Sequence, residues 1–260
     1  MSAVAPVARR ELLDGAGAVL ELGPAPGNIL DRAAIAALGE ELAAVAAEPG
    51  LKLVVITGAG EHFSYGASVP EHLPGEVETM LPEFHDLLGA MNELALPPVV
   101  AAVRGRCLGG GFELALACDV IIAAPDAQMG CPEVRLGVFP PAGAALLPLR
   151  VPAGRAAVLL QTGSLIRGAE AATMGLVDLA VPEGDLLDGV EEWARATLAP
   201  LSGAAVRFAR RATRWPWRDA CQRVLPELER LYLEELMSTE DAVEGLQAFL
   251  AKRDPVWSDR

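Results

Sequence analysis

The sequence is short of positive charge. Lys and Arg number 21 against 35 Asp and Glu, a formal net charge of −14, and lysine occurs only at positions 52 and 252. Such a balance opposes wholesale attraction to nucleic acid or anionic lipid, although it leaves room for a local basic patch. Long hydrophobic runs are missing too. The longest stretch without a charged residue is the 14 residues 136–149, broken by Pro140, Pro141 and Pro148, whereas a spanning helix wants about 18 or more apolar residues. Residues 1–13 hold no apolar stretch fit for a secretory signal, so a cytoplasmic protein is expected. Cys107, Cys118, Cys131 and Cys221 lie 11, 13 and 90 residues apart, with no C-x-x-C pair for zinc or redox chemistry. Reduced, buried thiols are expected. What abounds is apolar residue, 52% of the chain with a mean hydropathy of +0.32. That excludes a disordered chain and sends the surplus into a large core or into subunit contacts.

Asp14-Gly15, between residues 11–13 and 19–22, signals a hairpin, since a D-G pair supplies the positive dihedrals of a tight turn. From Asp31 to Ala47, Ile35, Leu38, Leu42 and Val45 recur at helical steps, and Pro49-Gly50 ends that helix. Residues 51–57, 98–103 and 120–124 are continuous apolar runs. They read as strands covered on both faces, the pattern left by helices crossing between parallel strands. Past about residue 185 the texture turns helical, over 185–198, over 204–213, and from near Pro216 with Leu225, Leu228, Tyr232 and Leu236 on one face. A last helix is expected to begin at Ser238, where Asp241 completes a capping box.

The densest chemical signal lies in residues 99–119, where an apolar run leads into Gly109-Gly110-Gly111 and a short helix bearing Glu113. Glycines at a helix start expose backbone N–H groups, which with the helix dipole favour an anion or an oxyanion. A phosphate fits that description as well, but neither G-x-G-x-x-G nor G-x-x-x-x-G-K-[ST] is present. A second segment, residues 207–218, R-F-A-R-R-A-T-R-W-P-W-R, interleaves five arginines with Phe208, Trp215 and Trp217. Cations with aromatics suit single-stranded nucleic acid. Equally, Arg207, Arg210 or Arg211, Arg214 and Arg218 recur at helical steps and form one basic face for ligand phosphates or acidic partner surfaces. His62, His72 and His85 show no ligand spacing; they are expected at the surface or in loops, without a proton-transfer role.

Residues 54–69, V-V-I-T-G-A-G-E-H-F-S-Y-G-A-S-V, and 127–143, A-Q-M-G-C-P-E-V-R-L-G-V-F-P-P-A-G, flank the glycine segment. Together the three resemble the enoyl-CoA hydratase/isomerase (crotonase) family, in which F-S-x-G-A-D, G-G-G-x-E and G-x-P-E-x-x-L-G-x-x-P occur in this order. The resemblance runs from Pro24 to Arg253. It implies an α/β fold, a crotonase-like spiral of β-β-α turns over residues 1–190 and a C-terminal helical oligomerisation region over 191–260. It also implies an acyl-CoA thioester substrate, a homotrimer or dimer of trimers, no metal, and no cofactor beyond the coenzyme A of the substrate.

By the same resemblance, Ala67 and Gly110 match the positions whose backbone N–H groups form an oxyanion hole, which stabilises an enolate without reorganising. Glu113 and Glu133 match the two carboxylates of the family's hydratases, one taking a proton from water while the other protonates carbon. Members that only shift a double bond often keep one of them, so the pair favours hydration or its reverse. Taken singly, Glu113 reads as a helix-start carboxylate and Glu133 as a loop surface charge. Substrate contact is implied for Gly66 and Gly109 beside these groups, and for Asn28 in P-A-P-G-N, where Gly27 replaces a basic residue. Phe249 and Lys252 match positions that reach the adenine and phosphate end of coenzyme A from a neighbouring subunit; Lys252 equally reads as a helix-end cation.

Two stretches depart from the common hydratase pattern. Residues 141–147, P-A-G-A-A-L-L, lack the usual Thr-Gln-Arg group, and Ser68 stands at the acidic position of F-S-x-G-A-D. F-S-Y-G-A-S-V-P-E-H-L-P and the downstream M-L-P-E-F-H-D-L-L look like the cyclohexa-1,5-diene-1-carbonyl-CoA hydratases of anaerobic aromatic degradation, whose product is 6-hydroxycyclohex-1-ene-1-carbonyl-CoA. Tyr65 and Phe139 would then wall a flat ring pocket, although both also suit core packing. The alternatives are a general enoyl-CoA hydratase or isomerase of fatty-acid β-oxidation, an RNA-binding protein, and a catalytically silent acyl-CoA-binding oligomer.

Overall fold

Asp14 (φ 53°) and Gly15 (φ 84°) turn the chain between β1 (Val7–Leu12) and β2 (Gly17–Leu22), which pair antiparallel with Leu12 opposite Gly17. The computed structural model describes residues 5–93, 95–182, 184 and 186–260. Asp31 caps α1 (Arg32–Ala46) by accepting the Ala34 N–H at 2.8 Å, which satisfies one orphan donor of the first turn. The helix buries Ile35, Leu38, Leu42 and Val45, the face that the periodicity predicts. There follow β3 (Leu53–Gly58), α2 (Val77–Glu93), β4 (Val99–Val103), β5 (Arg106–Leu108), α3 (Gly110–Ala117), β6 (Val120–Ala123) and β7 (Gln128–Gly130). After these come α4 (Pro141–Leu146), α5 (Ala153–Thr162), β8 (Ile166–Arg167), α6 (Gly168–Thr173) and β9 (Leu179–Ala180).

The strands form two sheets. The larger has the order β1-β2-β3-β4-β6-β9 and is parallel from β2 onward; the smaller has the order β5-β7-β8. Twice, at β4–β5 and at β6–β7, the chain passes from the large sheet to the small one before turning helical, which is the expected β-β-α spiral. Alternate residues along a strand face opposite ways. Val54 and Ile56 of β3 therefore join the main core with α1 and α2, while Leu53 and Val55 join a second cluster. That second face is covered by Leu186, Val190 and Ala194 of α7 (Leu186–Thr197). Both faces being dry explains why these strands read as unbroken apolar runs. Asp185, the expected start of α7, lies outside the described residues.

Beyond it run α8 (Gly203–Thr213), α9 (Trp215–Asp219), α10 (Leu225–Arg230) and α11 (Glu240–Leu250). Two π-helical turns, Ala220–Val224 and Leu231–Glu235, flank α10. Leu225, Tyr232, Ala242 and Leu246 belong to the same buried cluster as the β3 and β4 side chains, so the hydrophobic interior runs across residue 190. The last helix is capped by Thr239, which accepts the Ala242 N–H at 3.3 Å, and not by Ser238. Ser238 still belongs to the preceding 3-10 turn and donates its hydroxyl back to Glu235 O at 2.6 Å.

The arginine segment also departs from expectation, for its basic face looks inward. Arg210 Nε sits 2.6 Å from Asp119 Oδ2, and Arg214 donates to Asn92 Oδ1 at 2.9 Å and to the Ala117 and Cys118 carbonyls at 2.6 and 3.0 Å. Arg207 donates to the carbonyls of Glu48 and Leu51, and Arg218 pairs with Glu93 at 2.8 Å. Arg210 and Arg214 thus clamp α8 and α9 onto the end of α3, where unpaired carbonyls attract cations, while Arg207 ties α8 to the carbonyls that follow α1 and Arg218 ties α9 to the end of α2. Within residues 207–218, Arg211 alone of the five arginines is exposed. Among the described residues no helix is long and apolar enough to cross a membrane.

Candidate active site

The loop after β3 is shaped by Asn28. This residue (φ 45°) is fully buried, and its Nδ2 donates to the carbonyls of Ala59 and His62 at 2.9 and 2.8 Å. Its own carbonyl accepts the Ser64 hydroxyl at 2.8 Å, and Ser64 Oγ accepts the Gly66 N–H at 3.0 Å. Leu30 pairs with the same loop, accepting the Ser68 N–H and donating to Gly66 O. Neighbouring N–H groups of an extended segment point to opposite sides, so the Ala67 N–H faces away from Leu30. On its other side is Gly110, where an added Cβ would stand 3.1 Å from the Ala67 nitrogen. Asn28, expected against the substrate, is instead buried behind the loop and does not line the cavity, because its amide is taken up by converging carbonyls.

Two glycines let these backbones touch. A Cβ at Gly66 (φ 106°) would lie 2.8 Å from the Leu108 carbonyl, and one at Gly109 (φ 51°) would lie 2.7 Å from Glu133 Oε1. Neither position has the space or the dihedral for another residue. Gly110 opens α3, whose first N–H groups have no intrahelical acceptor. Among the described residues neither the Ala67 nor the Gly110 N–H has a protein acceptor. Two free amides so placed can hold an oxyanion.

Glu113 lies in the first turn of α3, a helix buried on every side, and its Oε1 accepts the Gly143 N–H from α4 at 2.6 Å. Burial pushes its pKa up, while the Gly143 N–H, the His85 ring and the Ala142 N–H pull it back. Glu133 opens the 3-10 turn Glu133–Leu136, and its Oε2 is buried without a partner. Burial first, then the charge of Glu113, pushes its carboxyl well above the usual range. The pair therefore divides: Glu113 has backbone donors for its anion, and the carboxyl of Glu133 is pushed towards its protonated form. Glu133 is no loop surface charge.

Both carboxylates and both amides border one cavity of about 380 Å³. Met80, Leu81 and Phe84 of α2 wall one side, and Val138, Phe139 and Leu246 wall another. Tyr65 is exposed at the rim, its ring 5.1 Å from His62 and 5.9 Å from the Arg106 guanidinium. Phe249 borders its own chain's cavity, whereas a role in a neighbour's is expected from the sequence. Lys252 is exposed and outside it. Arg106, Arg135 and Tyr232 are among the lining residues to which the sequence reading assigns no site role. Arg106 and Arg135 stand exposed on the rim, legible only as basic residues inside the R-G-R-C-L-G-G-G and P-E-V-R stretches, and Tyr232 lies inside.

Of the histidines, His62 and His72 lie outside the α-helices and strands as expected, and His85 does not. His72 borders the cavity, and its Nδ1 lies 2.8 Å from Ser68 O, while burial lowers its pKa. His85 is buried on α2, 2.6 Å from Glu229, because the apolar face of α2 carries it inward. Behind Glu133, α11 packs backbone to backbone on the 3-10 turn: an added Cβ at Gly245 would collide with the Leu136 carbonyl.

Residues 19–260 match the enoyl-CoA hydratase/isomerase family. The cyclohexa-1,5-dienecarbonyl-CoA hydratase of Thauera aromatica is 44% identical over 249 residues, 95% of each chain. A carnitinyl-CoA dehydratase of Salmonella enteritidis is 35% identical over 239 residues, 90% of this chain and 91% of that one. Among solved structures, an enoyl-CoA hydratase from Mycobacterium avium subsp. paratuberculosis superposes with a TM-score of 0.85 at 28% identity, covering 99% of this chain and 100% of that one.

Proposed function

The chain belongs to the enoyl-CoA hydratase/isomerase family, and from that premise we propose that it is a hydro-lyase whose substrate is cyclohexa-1,5-diene-1-carbonyl-CoA. The observation that carries this reading is the juxtaposition of the buried Glu113 carboxylate, the half-buried Glu133 with its enclosed Oε2, and two free backbone amides around an apolar cavity. In the proposed reaction the thioester oxygen lies between the Ala67 and Gly110 N–H groups. Glu113 takes a proton from water as the oxygen bonds to C2, and the electron pair moves onto the thioester oxygen as a dienolate. Fixed amides stabilise that charge without reorganising. The dienolate collapses by taking the Glu133 proton at C5, which leaves the remaining double bond beside the carbonyl-bearing carbon. One proton transfer from Glu113 to Glu133 resets the site, and no cofactor beyond the substrate's coenzyme A takes part.

The ring substrate is supported by the 44% identity to the Thauera enzyme and by the aromatic wall of Phe84 and Phe139, since rigid walls discriminate by shape. The exposed rim arginines, Arg106 and Arg135, suit the phosphates of coenzyme A. We read the assembly as a homotrimer or a dimer of trimers in the cytoplasm; exposed Phe208, Trp215 and Phe249 supply apolar surface for subunit contacts.

The test is hydration of cyclohexa-1,5-diene-1-carbonyl-CoA and of crotonyl-CoA by wild type, Glu113→Gln and Glu133→Gln. Faster turnover of the ring thioester, lost in both variants, is the expected result. No turnover of either thioester defeats the enzyme reading, and a preference for crotonyl-CoA defeats the ring assignment. Light scattering of the purified protein checks the assembly.

A further inference from the structure

Among the described residues, five buried side-chain polar atoms have no hydrogen-bond partner, and two of them, Glu133 Oε2 and the Tyr232 hydroxyl, belong to residues bordering the acyl cavity. Buried polar groups are nearly always paired, so an orphan beside a binding cavity marks where a ligand atom belongs. Tyr232 is 1% exposed and held by Phe139, ring centroids 5.5 Å apart at 57°. It sits in the π-helical turn Leu231–Glu235. An extra residue per turn re-aims side chains, and such turns recur at functional sites. Burial, followed by the charges of Glu133 and Glu113, raises its phenol above the usual range, so the hydroxyl keeps its proton beside both carboxylates.

We propose that Tyr232 is the third polar group of the reacting centre: its hydroxyl donates a hydrogen bond to the oxygen that water brings and that the product carries as its hydroxyl. The proposal rests on the hydratase reading. A water in an apolar cavity needs two or more polar partners to stay in place. Glu113 supplies one of these and Tyr232 another. The phenol never transfers its proton; it fixes the oxygen while Glu113 and Glu133 exchange theirs, and it favours hydroxylated acyl groups over their deoxy counterparts.

Tyr232→Phe keeps the ring beside Phe139 and removes one oxygen. Expected are a kcat for hydration lower by about 10-fold or more with KM within about threefold, and 3-hydroxybutyryl-CoA binding weakened about 10-fold with butyryl-CoA binding unchanged. A merely structural tyrosine would weaken both ligands alike and lower Tm. Unchanged kcat, or equal effects on the two ligands, overturns the proposal. If wild type hydrates no thioester, the hydratase reading falls while the two affinities still decide Tyr232. Should the variant fold poorly, the two-tyrosine composition allows global 3-fluorotyrosine labelling of the wild-type sequence, with Tyr65→Phe assigning the two resonances. The Tyr232 resonance should move more with 3-hydroxybutyryl-CoA than with butyryl-CoA, and identical shifts overturn the proposal.

Discussion

Asp119 and Glu133 are both acids removed from bulk water, yet they live under opposite conditions. Asp119 accepts the Val99 N–H at 2.7 Å and Arg210 at 2.6 Å, with Arg214 at 3.5 Å. Glu133 has the charge of Glu113 nearby and one oxygen without any partner. A buried acid surrounded by donors holds structure together, whereas one left short of donors stores an unmet demand. The arginine clamp and the acyl cavity are each built around such an acid, and only the cavity leaves work for a ligand to do.

Exchanging carboxylate for amide breaks the comparison most directly. Glu113→Gln and Glu133→Gln should each lower kcat by about 10²–10⁴-fold, read by single-turnover hydration, while Asp119→Asn should leave the chemistry of the folded enzyme intact. On the clamp side, Arg210→Ala removes the nearest cation from Asp119 and leaves it the Val99 N–H and the 3.5 Å contact with Arg214. It should cost about 3–5 kcal/mol of stability in urea unfolding, with kcat of the folded fraction within about twofold. Gly109→Ala puts a Cβ 2.7 Å from Glu133 Oε1 at a φ of 51°, and about a 10–100-fold loss of kcat is expected. Gly154→Ala, in α5 with nothing within 4 Å, is the control and should add about 0.5–1 kcal/mol of stability.

The subtlest test is pH. Glu133 has its folded pKa raised, so its contribution to stability is fully present below the unfolded value and is lost as pH rises through the folded one. Tm of Glu133→Gln relative to wild type should therefore increase from pH 5 towards alkaline pH. The alkaline limb of the wild-type kcat profile, set by deprotonation of Glu133, should vanish from the residual activity of that variant.

Much of this arrangement was legible in the sequence. The D-G turn, the α1 stripe and the doubly covered strands follow from local pattern, and the pairing of Glu113 with Glu133 was legible through the resemblance of their motifs to a known family. What was hidden depends on partners far along the chain. Arg210 and Arg214 have helical spacing whether they face water or Asp119, 91 and 95 residues away, and only the fold chooses. Tyr232 joins Leu225 and Leu228 on an apolar face by simple helical counting, but the π turns on either side of α10 alter the count. Asn28 carries a motif position, yet its side chain serves the carbonyls of a loop some 30 residues later. His85 looked like a loose titratable group because nothing local announces Glu229, 144 residues on.

The backbone contact of Gly245 with the Leu136 carbonyl has a consequence in time. A ribosome makes residues 99–143 first, with both carboxylates and the glycine turn, but the surface that seats the turn carrying Glu133 arrives about a hundred residues later. The turn that carries Glu133 is therefore seated only once α11 has been made, long after both carboxylates and the glycine turn exist in the chain.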